Sequence, residues 1–336
     1  MQSHSFQFNA PFELECGSTL PAIEVAYMTL GQLNASKDNV IWICHALTGN
    51  ANAAEWWDGL VGEGRYYDPA KHFIICANVL GSHYGSTNAL SINSLTGESY
   101  FHDFPIITIR DVVNALDLLR ADLGIEQIYT LIGGSLGGQQ AVEWAIKQPK
   151  VSKNLVLIAT NAVHSPWGIA FNESQRMAVA FDPTWQERRP DAGMAGMKVA
   201  RSIALLSYRN YETYERSQQR ETDQYFNFRA CTYQNYQGEK LAKRFNAFSY
   251  FTLSNMMDSH DVSRGWHSFK EALACVDVPT LVIAISTDLL FPPSEQRFLA
   301  DNITGAKFEM IESLYGHDGF LIEYEQLTKI LTDWEN

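Results

Sequence analysis

The chain has 336 residues, 46% of them hydrophobic, and a formal net charge of −13. A chain this long can bury about three quarters of its unfolded surface without staples, and its negative field excludes a nucleic-acid surface, which must face phosphates with positive charge. Its five cysteines (Cys16, Cys44, Cys76, Cys231 and Cys275) are odd in number and scattered, as reduced thiols in a cytoplasm would be; with neither an eighteen-residue apolar run nor a basic-then-apolar leader, a soluble cytoplasmic protein with no membrane partner is expected.

In chain order, residues 12–16 and 23–30 read as an opening hairpin around Gly17 and Pro21. Residues 39–44 form an apolar strand that runs directly into His45-Ala46-Leu47-Thr48-Gly49. Strand 73–79, helix 107–122, strand 128–132, helix 137–147 and strand 154–159 then alternate, which predicts an α/β fold with a mostly parallel sheet covered by helices on both faces. From 163 to 268 the long β-branched runs disappear, and aromatic, Gln, Arg and Met residues recur at helical spacing, as over 194–208 and 238–257. The αβ pattern resumes with 269–273 and strand 278–285, and a helix over about 320–334 closes the chain. The expected division is an α/β core of residues 1–162 and 269–336, interrupted by a helical lid of residues 163–268. The lid would lie over the C-terminal edge of the sheet, where ligand sites of such folds collect.

The chemistry centres on Gly133-Gly134-Ser135-Leu136-Gly137-Gly138, placed between an apolar strand and a helical pattern. In G-x-S-x-G the glycines let strand and helix close around a strained turn, leaving the serine Oγ exposed and the next backbone N–H free for an oxyanion. A glycine-rich turn alone would be as well explained by its backbone; the partners decide. In this arrangement the nucleophile is followed along the chain by a carboxylate and then a histidine. Asp288 follows the strand 278–285, and His317 is the one histidine beyond residue 267. Ser135, Asp288 and His317 are therefore the candidate nucleophile, orienting acid and base. The backbone N–H groups of Leu47 and Leu136 are the candidate oxyanion hole, one such donor being worth ~3 kcal/mol in the transition state. Cys44 and His45 lack a further ligand at zinc-like spacing, so loop support is expected of them and no metal. No Walker loop or G-x-G-x-x-G fingerprint is present.

Beyond the elbow (GGSLGGQQAVEWA, 133–145), several segments together resemble the homoserine O-acetyltransferase family of the α/β-hydrolase superfamily. They are ICHALTGN (43–50), WWDGLVGEG (56–64), FIICANVLGSHYGST (73–87), DFPIITIRDVV (103–113), IAFNESQRMAV (169–179), YQGEKLAKRF (236–245) and YGHDGFLIEYEQL (315–327). The resemblance implies an α/β-hydrolase fold and acetyl transfer from acetyl-CoA, as co-substrate, to the side-chain hydroxyl of L-homoserine through a Ser135 acyl-enzyme, a step toward methionine. No permanently bound cofactor is implied. It also implies substrate-binding roles for Arg201 and Asp318 and a homodimer formed through the lid helices, with Tyr250, Leu253, Met256 and Met257 readable as core or dimer face. A guanidinium suits an amino-acid carboxylate and a carboxylate suits its ammonium. Without the family, Arg201 would be a surface helix residue, Asp318 an N-cap, and Lys240, Lys243 and Arg244 a solvated helix face. Residues 81–90 depart from the family's usual Gly-Pro-Ser pattern, Asn246 and Phe248 stand where Asp and Asn are common, and Leu136 replaces the frequent Met. Homoserine or serine O-succinyl transfer, and hydrolysis of a small ester, are the alternatives.

Overall fold

The computed structural model describes residues 1–220 and 225–335. Its frame is an eight-stranded sheet whose strands are β1 (Gln2–Phe8), β2 (Ile23–Leu30), β3 (Val40–Cys44), β4 (Phe73–Ala77), β5 (Ile128–Gly134), β6 (Ser152–Ile158), β7 (Thr280–Ile285) and β8 (Lys307–Ile311). They lie in the order β1-β2-β4-β3-β5-β6-β7-β8. Every neighbouring pair from β4 to β8 is parallel, while β2 runs antiparallel to both its neighbours. Such a sheet must be covered on both faces, and its central strands show it. All five residues of β3 are buried, with Val40, Trp42 and Cys44 packed into one apolar layer and Ile41 and Ile43 into the other. The two-residue side-chain period alone distributes one strand between two cores.

Helices flank this sheet. The first long one, α1 (Ile109–Asp122), starts where Thr108 and Asp111 form a reciprocal capping box, which sets its boundary two residues later than periodicity suggests. Next, α2 (Leu136–Lys147) follows β5 without a loop. Its Trp144 meets Trp42 of β3 edge to face, with centroids 5.1 Å apart. The crossing of β5 into α2 leaves no room for side chains. A Cβ on Gly133 would lie 2.1 Å from the Gly137 carbonyl oxygen, and one on Gly137 would lie 2.0 Å from that of Cys44.

Between β6 and β7 the chain leaves the sheet to build α3 (Pro166–Ala180), α4 (Met194–Tyr208), α5 (Tyr211–Ser217), α6 (Arg229–Ala242) and α7 (Ala247–Asp258). The excursion leaves and returns at one point: the His164 N–H donates to the His260 carbonyl and the Val262 N–H to that of Ala162. Tyr250, Leu253, Met256 and Met257 of α7 are buried within the chain itself, so they are core residues rather than a free face.

Three sequence expectations are corrected. Ile23–Leu30 does not pair with 12–16; it pairs with β1, while Phe12–Glu13 and Thr19–Leu20 form a separate two-residue ribbon. The run over 238–257 is two helices, broken where Asn246 caps α7 by accepting from the Ser249 N–H. At the C-terminal end, a helix α8 (Pro293–Asn302) that periodicity did not reveal follows β7, and the closing helix begins at Tyr324 after a separate short turn, Gly319–Ile322.

Gly137→Ala should destabilise the protein by at least ~1–3 kcal/mol, the usual cost of overpacking, because the carbonyl it meets belongs to the central strand. A urea midpoint equal to that of wild type would contradict this packing.

Candidate active site

Ser135 sits at the junction of β5 and α2 with φ 57° and ψ −127°. A non-glycine residue in this half of φ space carries ~1–3 kcal/mol of strain, tolerated only where surroundings impose it. Here they do. The Ser135 N–H donates to the Ile158 carbonyl at 2.9 Å, and its own carbonyl accepts from the Gly138 N–H and the Thr160 hydroxyl, each at 2.9 Å.

The loops after β7 and β8 bring the other two groups to the same place. His317 Nε2 lies 2.8 Å from Ser135 Oγ, and His317 Nδ1 lies 2.6 Å from Asp288 Oδ2. A carboxylate only accepts, so Nδ1 carries the proton, leaving Nε2 to accept from the serine hydroxyl. The second Asp288 oxygen accepts from the Leu290 and Phe291 N–H groups at 2.8 and 2.9 Å, which fixes the carboxylate. The imidazole is clamped between Phe291, stacked at 5.0 Å, and Phe320, edge-on at 5.6 Å. Burial pushes the pKa of His317 down, but the charge and hydrogen bond of Asp288, with Asp318 and Glu295 behind them, outweigh it and set it above the ordinary value of 6.5.

The loop after β3 supplies one wall. His45 is fully buried, accepts from the Val79 N–H at Nε2 and bonds the Ala46 carbonyl through Nδ1, so both nitrogens are committed to backbone. Burial lowers its pKa to about 4, which keeps the ring neutral in this role. His45 thus braces the loop carrying Leu47. Leu47 lines the cavity that also exposes Ser135 and His317. As the first residue of α2, Leu136 has an N–H with no carbonyl four residues back to reach.

That cavity holds about 410 Å³ of accessible space and is also lined by Arg201, Asp318, Tyr208, Lys240 and Arg244. Arg201 lies with its guanidinium 5.1 Å from the centre of the Tyr208 ring, two turns further along α4. Asp318 makes no capping bond; its Oδ2 lies 3.1 Å from Arg209 Nη2. Two residues missed in the sequence thus belong here. Tyr208, whose ring centre is 5.9 Å from that of His317, could have been found from its i+7 spacing to Arg201. Arg209 carried no local signal, since its partner lies in the last loop of the core. Lys240, Lys243 and Arg244 are exposed, as expected of a solvated face; what the sequence did not show is that the fold sets Lys240 and Arg244 on the lining of this cavity, while Lys243 stays outside it.

Two departures from the family pattern touch each other. Asn246 Nδ2 lies 2.8 Å from His83 Nδ1 in the 81–90 loop, and the rings of His83 and Tyr84 pack on Phe245. Neither Asn246 nor Phe248 lines the cavity of Ser135; Phe248 packs with Trp185 and Phe101 elsewhere.

The model of the alpha/beta hydrolase fold matches residues 39–324. Over 331 residues the chain is 48% identical to a homoserine O-acetyltransferase of Cyclobacterium marinum, covering 98% of this chain and 94% of that one. It is 43% identical to the Chlorobaculum tepidum protein of the same name over 98% and 94%. This chain belongs to the homoserine O-acetyltransferase family. A crystal structure of homoserine O-acetyltransferase from Bacillus anthracis superposes with a TM-score of 0.92 at 25% identity, covering 100% of this chain and 98% of the other. The acetyl esterase MekB superposes at 0.87 with 27% identity over 99% and 96%. The family's fold is therefore shared with an enzyme named for ester cleavage, and the fold by itself does not choose the acyl acceptor.

Asp288→Asn should lower kcat by about 10⁴, the effect of presenting the wrong histidine tautomer, without moving the unfolding midpoint appreciably; a loss under tenfold would remove Asp288 from the proposed chain of hydrogen bonds. As the base of such a triad, His317 would have to be neutral to act. Activity should therefore fall with decreasing pH through a midpoint above 6.5, and the residual activity of Asp288→Asn should titrate at a lower pH than wild type because the raising carboxylate is gone. A kcat/KM profile against pH for both proteins checks the sign.

Proposed function

We propose that the protein transfers an acetyl group from acetyl-CoA to the side-chain hydroxyl of L-homoserine through a Ser135 acyl-enzyme, with Asp288 and His317 completing the catalytic triad. One observation carries this reading: the Ser135 hydroxyl and His317 open into the same cavity as Arg201 and Asp318, so a nucleophile and a pair of charges suited to a zwitterionic amino acid share one chamber. In the first half-reaction His317 takes the proton of Ser135 as Oγ attacks the thioester carbonyl. The Leu47 and Leu136 N–H groups hold the oxyanion, and CoA leaves as its thiol after receiving the proton from His317. In the second, His317 deprotonates the homoserine hydroxyl, which attacks the acyl-serine; the tetrahedral intermediate collapses to O-acetylhomoserine, and Ser135 regains its proton.

Arg201 pairs with the acceptor carboxylate in this scheme. Asp318, oriented by Arg209, retains acceptor capacity for the ammonium. The alternative acceptor is water, as the name of the esterase neighbour illustrates. The helices over residues 163–268 act as a lid that limits it, and they carry exposed apolar side chains (Met177, Phe181, Val199 and Leu206) through which a homodimer forms. The five cysteines are free thiols, in keeping with a cytoplasmic setting. Among the described residues no helix is long and apolar enough to cross a membrane.

The direct assay supplies acetyl-CoA or succinyl-CoA with homoserine, serine or no acceptor and follows thiol release and product mass. Rapid release with acetyl-CoA and homoserine, giving O-acetylhomoserine, is expected; release that is independent of acceptor would identify a hydrolase. Arg201→Ala should raise KM for homoserine at least tenfold, a lost charge-assisted pair being worth ~1.5–3 kcal/mol, with little change in KM for acetyl-CoA. Equal effects on both would take Arg201 out of the acceptor site.

A further inference from the structure

The rim of the cavity carries positive charge that its neighbours among the described residues do not cancel. Lys240 and Arg244, one turn apart on and just beyond α6, both line it and both are exposed. Among the described residues the Arg244 guanidinium bonds neutral oxygens alone: the Thr48 carbonyl and the Tyr84 hydroxyl, each at 2.7 Å, and the Thr48 hydroxyl at 3.4 Å. Glu239, the acid beside Lys240 in sequence, is engaged by Lys198 at 2.7 Å. No carboxylate among the described residues lies within ion-pair distance of Lys240 or Arg244. Of the two acids lining the cavity, Asp318 is paired with Arg209, and Glu55 accepts from Asn52.

Uncompensated cations are unexpected on a chain of net charge −13. Its overall field repels anions, so a polyanionic substrate must be drawn in by a local potential of opposite sign at the mouth of the site. An amino-acid acceptor brings one carboxylate, for which Arg201 suffices. A nucleotide-linked thioester brings several phosphate charges and must leave as free thiol in every turnover. Exposed, solvated cations on the rim suit such a ligand better than a buried clamp, because they attract it without holding the product.

Building on the acyl-CoA reading above, we propose that Lys240 and Arg244 form the subsite that receives the phosphate-bearing arm of the acyl donor, leaving its thioester end to reach Ser135. Arg244 also fastens the Thr48 carbonyl, next in sequence to the oxyanion donor Leu47. Lys240 is therefore the cleaner probe.

The test compares acetyl-CoA with S-acetylpantetheine, which has the same thioester and no phosphate, at saturating homoserine. Lys240→Ala, an exposed helix position at which alanine is well tolerated, should raise KM for acetyl-CoA roughly tenfold, in keeping with loss of one charge-assisted contact, and Lys240→Glu should raise it further. The KM values for S-acetylpantetheine and homoserine should stay within twofold of wild type, as should kcat. Added salt should raise the wild-type KM for acetyl-CoA more steeply than that of Lys240→Ala. Equal shifts for both thioesters, no shift for either, or a shift confined to homoserine would each overturn the subsite. Failure of the wild-type enzyme to acetylate homoserine from any thioester would instead overturn the proposed reaction, so the two failures are separable.

Discussion

The site depends on a backbone constraint: the elbow at Ser135 must be held in a conformation that an L-residue avoids. Its φ of 57° is imposed from three sides. Behind it, Gly133 and Gly137 touch backbone where any side chain would collide. To one side, Ile158 takes the Ser135 N–H and Thr160 donates to its carbonyl, so the end of β6 and the loop after it act as a splint. That splint is itself secured by Gln296 of α8, which donates to the Thr160 carbonyl, and by Gln139, which donates to Asn161. Hydrogen bonds worth about 1 kcal/mol each can hold a strain of this size only collectively, which is why so many buried polar side chains gather under one serine.

The same crowding explains the electrostatics. Glu295 sits beside this network, donor to none of it and acceptor from Asn161, and burial pushes its pKa up to about 7. It adds to the field of Asp288 and Asp318 at His317. Three acids thus act on the imidazole, and Asp288 is the one hydrogen-bonded to it among the described residues. In the proposed reaction this arrangement would stabilise the imidazolium formed when serine attacks, while leaving the geometry of proton transfer to a single hydrogen bond.

What could be read from the sequence was what is encoded locally. The elbow declares itself because glycine spacing, a preceding apolar strand and a following helix all lie within twenty residues, and the order of Asp288 and His317 follows from the wiring of a parallel sheet. β1 was not legible: of its seven residues only Phe6 and Phe8 are apolar, and an exposed edge strand is stabilised by its pairing with Ile23–Leu30 rather than by its own pattern. The break between α6 and α7 is a tertiary matter too, since Arg244 bonds Thr48 and Tyr84, Asn246 bonds His83, and Phe245 packs on the rings of His83 and Tyr84. The place of the cationic rim was hidden for a related reason. Cations at i and i+4 look the same on any exposed helix, and only the fold sets this pair on the cavity into which Ser135 opens.

These contacts at the α6–α7 corner also tie covering and chemistry together. Arg244 holds the Thr48 carbonyl, His45 anchors the start of the same short loop, and Leu47 lies between them. Lifting the helices far enough to widen the cavity at this corner would break the Arg244 bonds to Thr48 and Tyr84 and the contact between Asn246 and His83. It would thereby loosen the segment that carries Leu47, the oxyanion donor of the proposed reaction. In that reading a wide, wet cavity and a well-formed oxyanion hole oppose one another. In the proposed reaction, where an acyl-enzyme would wait for an amino-acid hydroxyl while water competes, that opposition would favour transfer: the state most accessible to water would be the one least able to stabilise the tetrahedral intermediate water would form.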